Sequence, residues 1–171
     1  MKAGRQQPDK SALEAVILFT VGEFRLAIAA GAVREIRGLE GLQPRDSIGA
    51  LTLRVPKVAF TLERNGMVWF VVNAAQHFHL PVSPSPQRVL VLRNFPVAIL
   101  ADSTDRMMEI SVLHELPLAF TGDERNWYRG LAVMDGDVVP VVNQAAFLSK
   151  GEQMILKTAL ENAAQAKKAA V

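Results

Sequence analysis

The sequence predicts an all-β protein built from two small barrels packed together, and three observations predict it. Short apolar runs recur along the chain, each bounded by Gly, Pro, Asn or Asp, which is the pattern of β-strands and turns. The runs pair into hairpins, and the hairpins repeat. Gly66-Met-Val-Trp-Phe-Val-Val-Asn73 and Gly136-Asp-Val-Val-Pro-Val-Val-Asn143 share Gly, β-run and Asn at the same spacing, 70 positions apart, while Ala27-Ile28 and Ala98-Ile99 match at 71. Near-constant offset reads as an internal duplication. Units of this size are too small for deep independent cores, so short twisted strands are expected to close into barrels that lean on each other.

The elements follow in order. Val16 to Val21 is a strand run, Gly22-Glu23 a tight turn, and Phe24 to Ile28 the return strand. Ala29 to Arg34 reads as a short helical turn, and Glu35-Ile36-Arg37 re-enters extended structure before Gly38 and Gly41; Gln43 to Pro56 fits no single pattern. Lys57 to Leu62 and Met67 to Val72 form a second hairpin across Glu63-Arg64-Asn65-Gly66, with Asn-Gly as the turn signal. Asn73 to Phe78 suits one turn of helix. Pro81, Pro84 and Pro86 remove ladder donors from the middle of the chain, which makes residues 79–88 a connector. The pattern then restarts: Val89 to Leu92 and Pro96 to Ala101 mimic the first hairpin, and Trp127 to Met134 with Val138 to Val142 mimic the second. Glu152 to Ala169 contains strong helix formers and no Pro or Gly, with Leu156, Ala159, Leu160 and Ala163 on one face, so it reads as one amphipathic helix. The division that results is a flexible segment 1–14, a barrel mainly over 15–78, the connector 79–88, a second barrel mainly over 89–148, and a terminal helix over 151–171.

Composition excludes several functions. The 171 residues carry 19 Lys+Arg against 17 Asp+Glu, a formal charge of +2, which lacks the basic excess of a general nucleic-acid binder. With no cysteine there is no disulfide framework, thiol nucleophile or zinc ribbon. The longest apolar runs, such as Met67 to Val72, fall far short of a membrane span. Asp9 and Glu14 interrupt the basic start, and Ala15 to Phe19 is too short for a secretion signal. A cytoplasmic protein is expected.

Catalytic signatures are missing. The sequence holds no phosphate loop, nucleophile elbow, His-Glu-x-x-His or Gly-x-Gly-x-x-Gly. His77 and His79 would share a face in a strand, yet no Asp, Glu or Cys stands within several residues, and a packing role outweighs a metal site. Asp135-Gly136-Asp137 between two apolar runs is turn chemistry, and Asp102-Ser103-Thr104-Asp105 is expected to cap a turn or short helix. Trp127-Tyr128 reads as a core or interface anchor. The residues favour a module that works through its surface, with no enzyme activity, cofactor or metal.

These motifs together resemble the CheW-like family of chemotaxis coupling proteins over about residues 15 to 150. Leu18-Phe19-Thr20-Val21-Gly22-Glu23 followed by Ala32-Val33-Arg34-Glu35-Ile36-Arg37-Gly38 is similar to the family's first hairpin and its Val-x-Glu-Ile signature. Val97 to Asp102 is similar to an apolar run ending in Val-Asp, and Tyr128-Arg129-Gly130-Leu131 with Asp135 to Asn143 resembles the closing block. The resemblance implies two five-stranded SH3-like barrels and a cytoplasmic, non-enzymatic adaptor. Its implied partners are the regulatory domain of a chemotaxis histidine kinase and the cytoplasmic tip of a chemoreceptor. By position in the family pattern, Glu35, Ile36 and Arg37, with the turn Arg64, Asn65 and Gly66, are the candidate contacts.

The chain also departs from the pattern. Where the family has Asn-Leu-Arg-Gly, this sequence has Glu63-Arg64-Asn65-Gly66, so Asn65 stands at the Arg position and Arg64 one residue early. Asn cannot replace the bidentate fork of Arg. Either Arg64 swings in as a substitute or receptor contact is weakened, as in a divergent member serving a non-flagellar pathway. Ile36 is open between core and contact, and Glu35, Arg37 and Arg64 between contact and solvated charge. A small β-barrel nucleic-acid-binding protein is the alternative of another class.

Overall fold

The computed structural model describes residues 13–82 and 85–170. Among the described residues eleven strands form two sheets. They are β1 (Glu14–Val21), β2 (Phe24–Ala29), β3 (Val33–Arg37), β4 (Leu42–Pro44), β5 (Val58–Arg64), β6 (Met67–Asn73), β7 (Arg88–Leu92), β8 (Val97–Ala101), β9 (Ser103–Ile110), β10 (Tyr128–Met134) and β11 (Asp137–Val142). Helices are few: α1 (Ala74–His77), α2 (Glu124–Trp127) and the long α3 (Lys150–Ala169). Short 3-10 turns at Arg45–Ile48 and Ala50–Arg54 occupy the stretch whose sequence fits no single pattern. No helix among the described residues is long and apolar enough to cross a membrane.

The strand order is β10-β11-β2-β1-β9 in the five-stranded sheet and β3-β7-β8-β6-β5-β4 in the six-stranded one. This corrects the expected division of the chain at the 79–88 connector. The first hairpin, β1-β2, joins the C-terminal strands, and the hairpin after the connector, β7-β8, joins the N-terminal ones. The joins are the parallel ladders β2/β11, at Ala27 and Val141, and β6/β8, from Phe70↔Val97 to Asn73↔Leu100. The duplicated halves thus exchange hairpins, and β5-β6-β8-β7-β3 has the same order as β10-β11-β2-β1-β9. Strand β4 is an addition from residues 38–57. Local turns fix each hairpin in the sequence; which hairpins pair side by side is set by burial across the whole molecule, which no local pattern encodes.

That burial follows strand periodicity. Successive side chains of a strand face opposite ways, and here both faces of the central strands are covered. On β1, Val16 and Leu18 enter a core within the five-stranded sheet, while Ile17, Phe19 and Val21 enter a core shared between the sheets. On β7, Val89 and Val91 enter a third core within the six-stranded sheet, while Leu90 and Leu92 enter the shared one. Strands buried on both faces read as continuous apolar runs, which is why these segments look uninterrupted in sequence.

Each sheet's hydrogen-bonded order has two free ends, so closed barrels are not what the ladders describe. In the five-stranded sheet the ends come close. The segment after β9 meets β10 through one antiparallel bridge, with His114 N–H to Leu131 O at 2.8 Å and Leu131 N–H to His114 O at 2.9 Å. Two expectations also move. Glu14, placed in the flexible segment, opens β1, where its carboxylate takes a bidentate pair from Arg129 at 2.6 and 3.0 Å; the rest of that expectation, residues 1–12, lies outside the described residues. Ser103 to Asp105 belong to β9 rather than to a cap, because Phe19 and Thr20 of β1 offer them ladder partners; Asp102 alone caps, accepting from Gly22 N–H at 2.5 Å.

The terminal helix is docked at its start. Ser149 and Glu152 form a reciprocal capping box, Leu156 and Ala159 are buried, and Lys57 reaches Glu152 at 3.0 Å.

Two substitutions test the join between the sheet's ends. A Cβ on Gly130 would lie 2.4 Å from His114 O and 2.8 Å from Leu113 Cγ. Gly130→Ala is therefore expected to cost about 1–3 kcal/mol in urea unfolding. Gly31→Ala, with nothing within 4 Å, is expected to stay within about 0.5 kcal/mol of wild type.

Candidate functional site

Strand β3 is an end of the six-stranded sheet, paired only with β7. Its alternation is inverted relative to a core strand: Ile36 is 41% exposed, while Glu35 and Arg37 are half-buried. The structure therefore places Ile36 on the surface. Inward-turned charge on an end strand discourages unwanted strand addition, and an isoleucine left in water beside it is available to a partner.

The turn that faces β3 is built by its sequence. Asn65 at φ 53° and Gly66 at φ 77° are both left-handed, the two-residue hairpin geometry that Asn-Gly favours. With the turn confined to those two residues, Arg64 is the last residue of β5, paired across to Met67. From there Arg64 Nη1 donates to Glu35 Oε2 at 2.5 Å. Arg37 Nη1 stands 4.0 Å from Glu35 Oε1, and Arg37 Nη2 donates to Glu40 O at 2.6 Å. Glu35, Arg37 and Arg64 thus form one cluster around a hollow of about 370 Å³ that Glu40 and Glu63 also line. Arg64 is held against Glu35 of β3. Asn65 and Gly66 contribute backbone shape rather than charge.

Sequence reasoning missed two parts of this surface. Arg34 lies 5.6 Å above the Trp69 ring, a cation–π contact that no spacing rule predicts across two strands. Glu40 closes the cluster through its backbone carbonyl, which depends on the turn after β3. Exposed Leu39 and Met67, at 43% and 57%, add apolar surface from the same turn and from the start of β6.

The other polar candidates have structural roles. Asp135 at φ 52° and Gly136 at φ 82° form the β10-β11 turn, with Asp135 paired to Arg106 and Asp137 to Arg25 at 3.2 Å. Asn73 and Asn143, the matched ends of the repeat, both cap: Asn73 Oδ1 accepts from Gln76 N–H and Asn143 Oδ1 from Ala145 N–H. His77 is buried between Phe78, Trp127 and Phe147, ring centroids 4.7–5.3 Å away. Lys57 Nζ donates to its Nδ1 at 3.3 Å, so Nδ1 accepts and the neutral ring carries its proton on Nε2. Burial, then the charge of Lys57, push the His77 pKa down to about 3. Burial raises the Tyr128 hydroxyl to about 12. Among the described residues no group of three or more His, Cys, Asp or Glu is placed to hold a metal ion.

Comparison with known proteins bears on this arrangement. The family model for the CheW-like domain matches residues 15–152. The crystal structure of the scaffolding protein TtCheW from Thermoanaerobacter tengcongensis aligns with a TM-score of 0.67 at 12% identity, over 88% of this chain and 96% of that one. At that identity the likeness is one of fold. No curated protein matches the sequence.

Two measurements follow. The Glu35–Arg64 pair is partly exposed, so a double-mutant cycle with Glu35→Ala and Arg64→Ala is expected to give a coupling of about 0.2–1 kcal/mol, weakened by salt. For His77, the unfolded chain binds a proton near the ordinary value of 6.5 and the folded chain only near 3. Stability is then complete above about pH 6.5 and is lost as pH falls toward 3. Wild type should lose about 2 kcal/mol between about pH 7.5 and about pH 5 by urea unfolding, and His77→Gln should flatten that slope.

Proposed function

This chain belongs to the CheW-like domain family, and on that premise we propose that it is a non-enzymatic adaptor joining the cytoplasmic tip of a chemoreceptor to the regulatory domain of a chemotaxis-type histidine kinase. Its place of action is then the cytoplasm. We read its two sheets as open SH3-like barrels, with the shared core as the wall between them. The observation that carries the proposal is the exposed Ile36, 41% accessible on an end strand and flanked by the Glu35–Arg64–Arg37 cluster. An apolar anchor bordered by charges already held in place is the composition of a contact surface. Little side-chain freedom is left to lose on binding, which favours affinity.

A second reading rests on Asn65. The Arg64 guanidinium is engaged by Glu35, so fewer of its donors are available to a partner than an Arg at position 65 would offer. On that reading the chain serves a non-flagellar chemosensory pathway with weakened receptor contact.

Titration of purified receptor-tip hairpin and kinase regulatory domain, each against the full chain, tests both. The adaptor reading expects binding to both, with Ile36→Asp weakening one of them at least about tenfold, or about 1.4 kcal/mol. Absence of binding at tens of micromolar to either cognate partner sinks it. Binding to the kinase domain alone, with receptor affinity restored by Asn65→Arg, selects the second reading.

A further inference from the structure

The duplication sets up a comparison inside the molecule. Asn73 and Asn143 occupy the same place in each half: Asn73 N–H donates to Lys57 O at 2.8 Å, and Asn143 N–H to Trp127 O at 2.7 Å. By the same offset of 70 positions, Lys57 matches Trp127 and His77 matches Phe147. These four side chains meet where the halves join. The His77 ring lies 4.7 Å from Phe147 and 5.3 Å from Trp127, and Lys57 Nζ donates to His77 Nδ1 at 3.3 Å. One half fills this place with two aromatic residues, the other with a lysine and a histidine. Packing alone does not ask for the histidine, since Phe147 fills the matching position with no polar atom to bury.

His77 is 4% exposed, and its Nε2, which carries the ring proton, has no hydrogen-bond partner among the described residues. Buried donors are nearly always paired, so an open one marks a place for an acceptor. His77 lines a cleft of about 1040 Å³ between α1, α2 and the start of α3. Lys57 and Lys150 line it as well. Lys150 has no ion-pair partner among the described residues. Lys57 gives one proton to His77 and one to Glu152 Oε2 at 3.0 Å, which leaves its third. Of the two carboxylates on the cleft, Glu152 is taken by Lys57 and by Ser149 N–H, and Asp123 is exposed. Donors are therefore in excess, and the first turn of α3 adds the positive end of a helix dipole. The Trp127 and His79 rings, 5.2 Å apart, supply an aromatic wall. We propose that this cleft binds a small carboxylic acid with an apolar or aromatic body. The carboxylate accepts from His77 Nε2–H, Lys57 and Lys150 supply the balancing charge, and the body lies against Trp127. Nε2 is enclosed, so the carboxylate reaches it by displacing the Trp127 ring. None of Glu35, Ile36, Arg37 or Arg64 lines the cleft, and the proposal stands apart from the adaptor reading.

The test is an NMR titration of the full chain with benzoate, and with benzamide as its uncharged counterpart. Benzoate is expected to saturate with a dissociation constant of about 1–10 mM, the range for so small a probe. The His77 ring nitrogens and the Trp127 indole N–H are expected to shift, and the Trp69 indole N–H to stay in place. Benzamide is expected to bind at least about tenfold more weakly, the loss of a charge-assisted hydrogen bond. His77→Phe, which installs the residue of the matching position, is expected to unfold in urea no earlier than wild type and to bind benzoate at least about tenfold more weakly. Lys150→Gln, at an exposed position, is expected to weaken benzoate about threefold and to leave benzamide unchanged. Failure to saturate by about 50 mM overturns the proposal. So do benzamide binding as tight as benzoate, shifts confined to residues outside the cleft, or a His77→Phe variant that binds benzoate like wild type. A His77→Phe chain that fails to fold also overturns it, because the histidine is then needed for packing.

Discussion

The fold depends on hairpins that must be buried on both faces. Strands β1, β2, β7 and β8 each send alternate residues into a core of their own sheet and the intervening residues into the core shared between sheets. Removing water from both faces of a strand gives a large apolar contribution per residue, and it also removes any face on which charge could sit. Most charged side chains are thereby displaced to the turns, the sheet ends and the helix. The surface available for partners is what this constraint leaves over.

The hairpin exchange between halves follows from the same demand. A hairpin can cover both its faces only by lying between two other layers, and the sheet it leaves and the sheet it joins supply them. The parallel ladders β2/β11 and β6/β8 knit the exchange, and the equivalent capping roles of Asn73 and Asn143 mark the same point in each half. The two halves are therefore interlocked, and neither has a complete core without the other. Strand β4 and the 3-10 turns of residues 45–54 break the symmetry. They extend one sheet and give α3 a surface on which to pack.

The candidate surface arises where pairing stops. At the end strand β3 the hydrogen-bond ladder has no further partner, and the gap toward β5 is spanned by side chains instead of backbone. Glu35, Arg37 and Arg64 do this work, with Glu40 closing the cluster through its carbonyl. Their inward turn forces Ile36 outward, because adjacent residues of a strand face opposite sides. The exposed isoleucine is thus a consequence of where the charges go. The left-handed Asn65 and Gly66 complete the arrangement by ending β5 at Arg64, which sets the guanidinium within reach of Glu35.

Local chemistry was legible in the residues alone. Asn-Gly and Asp-Gly turns, the apolar strand runs and the formation of the terminal helix each rest on interactions within a few positions, and each was found where its pattern lay. The duplication was legible as well, because repeated local structure leaves repeated local sequence. Sheet membership was not. The choice between pairing β2 with β11 or with a nearer strand is made by apolar area buried over more than a hundred positions of chain, and an apolar residue carries no label for the core it enters. The side of β3 on which Ile36 stands was equally hidden, since isoleucine at a sheet end satisfies the same pattern buried or exposed; the register of β3 on β7, a pairing distant in sequence that sets Ile36 opposite Leu90 and Glu35 opposite Val91, decided it.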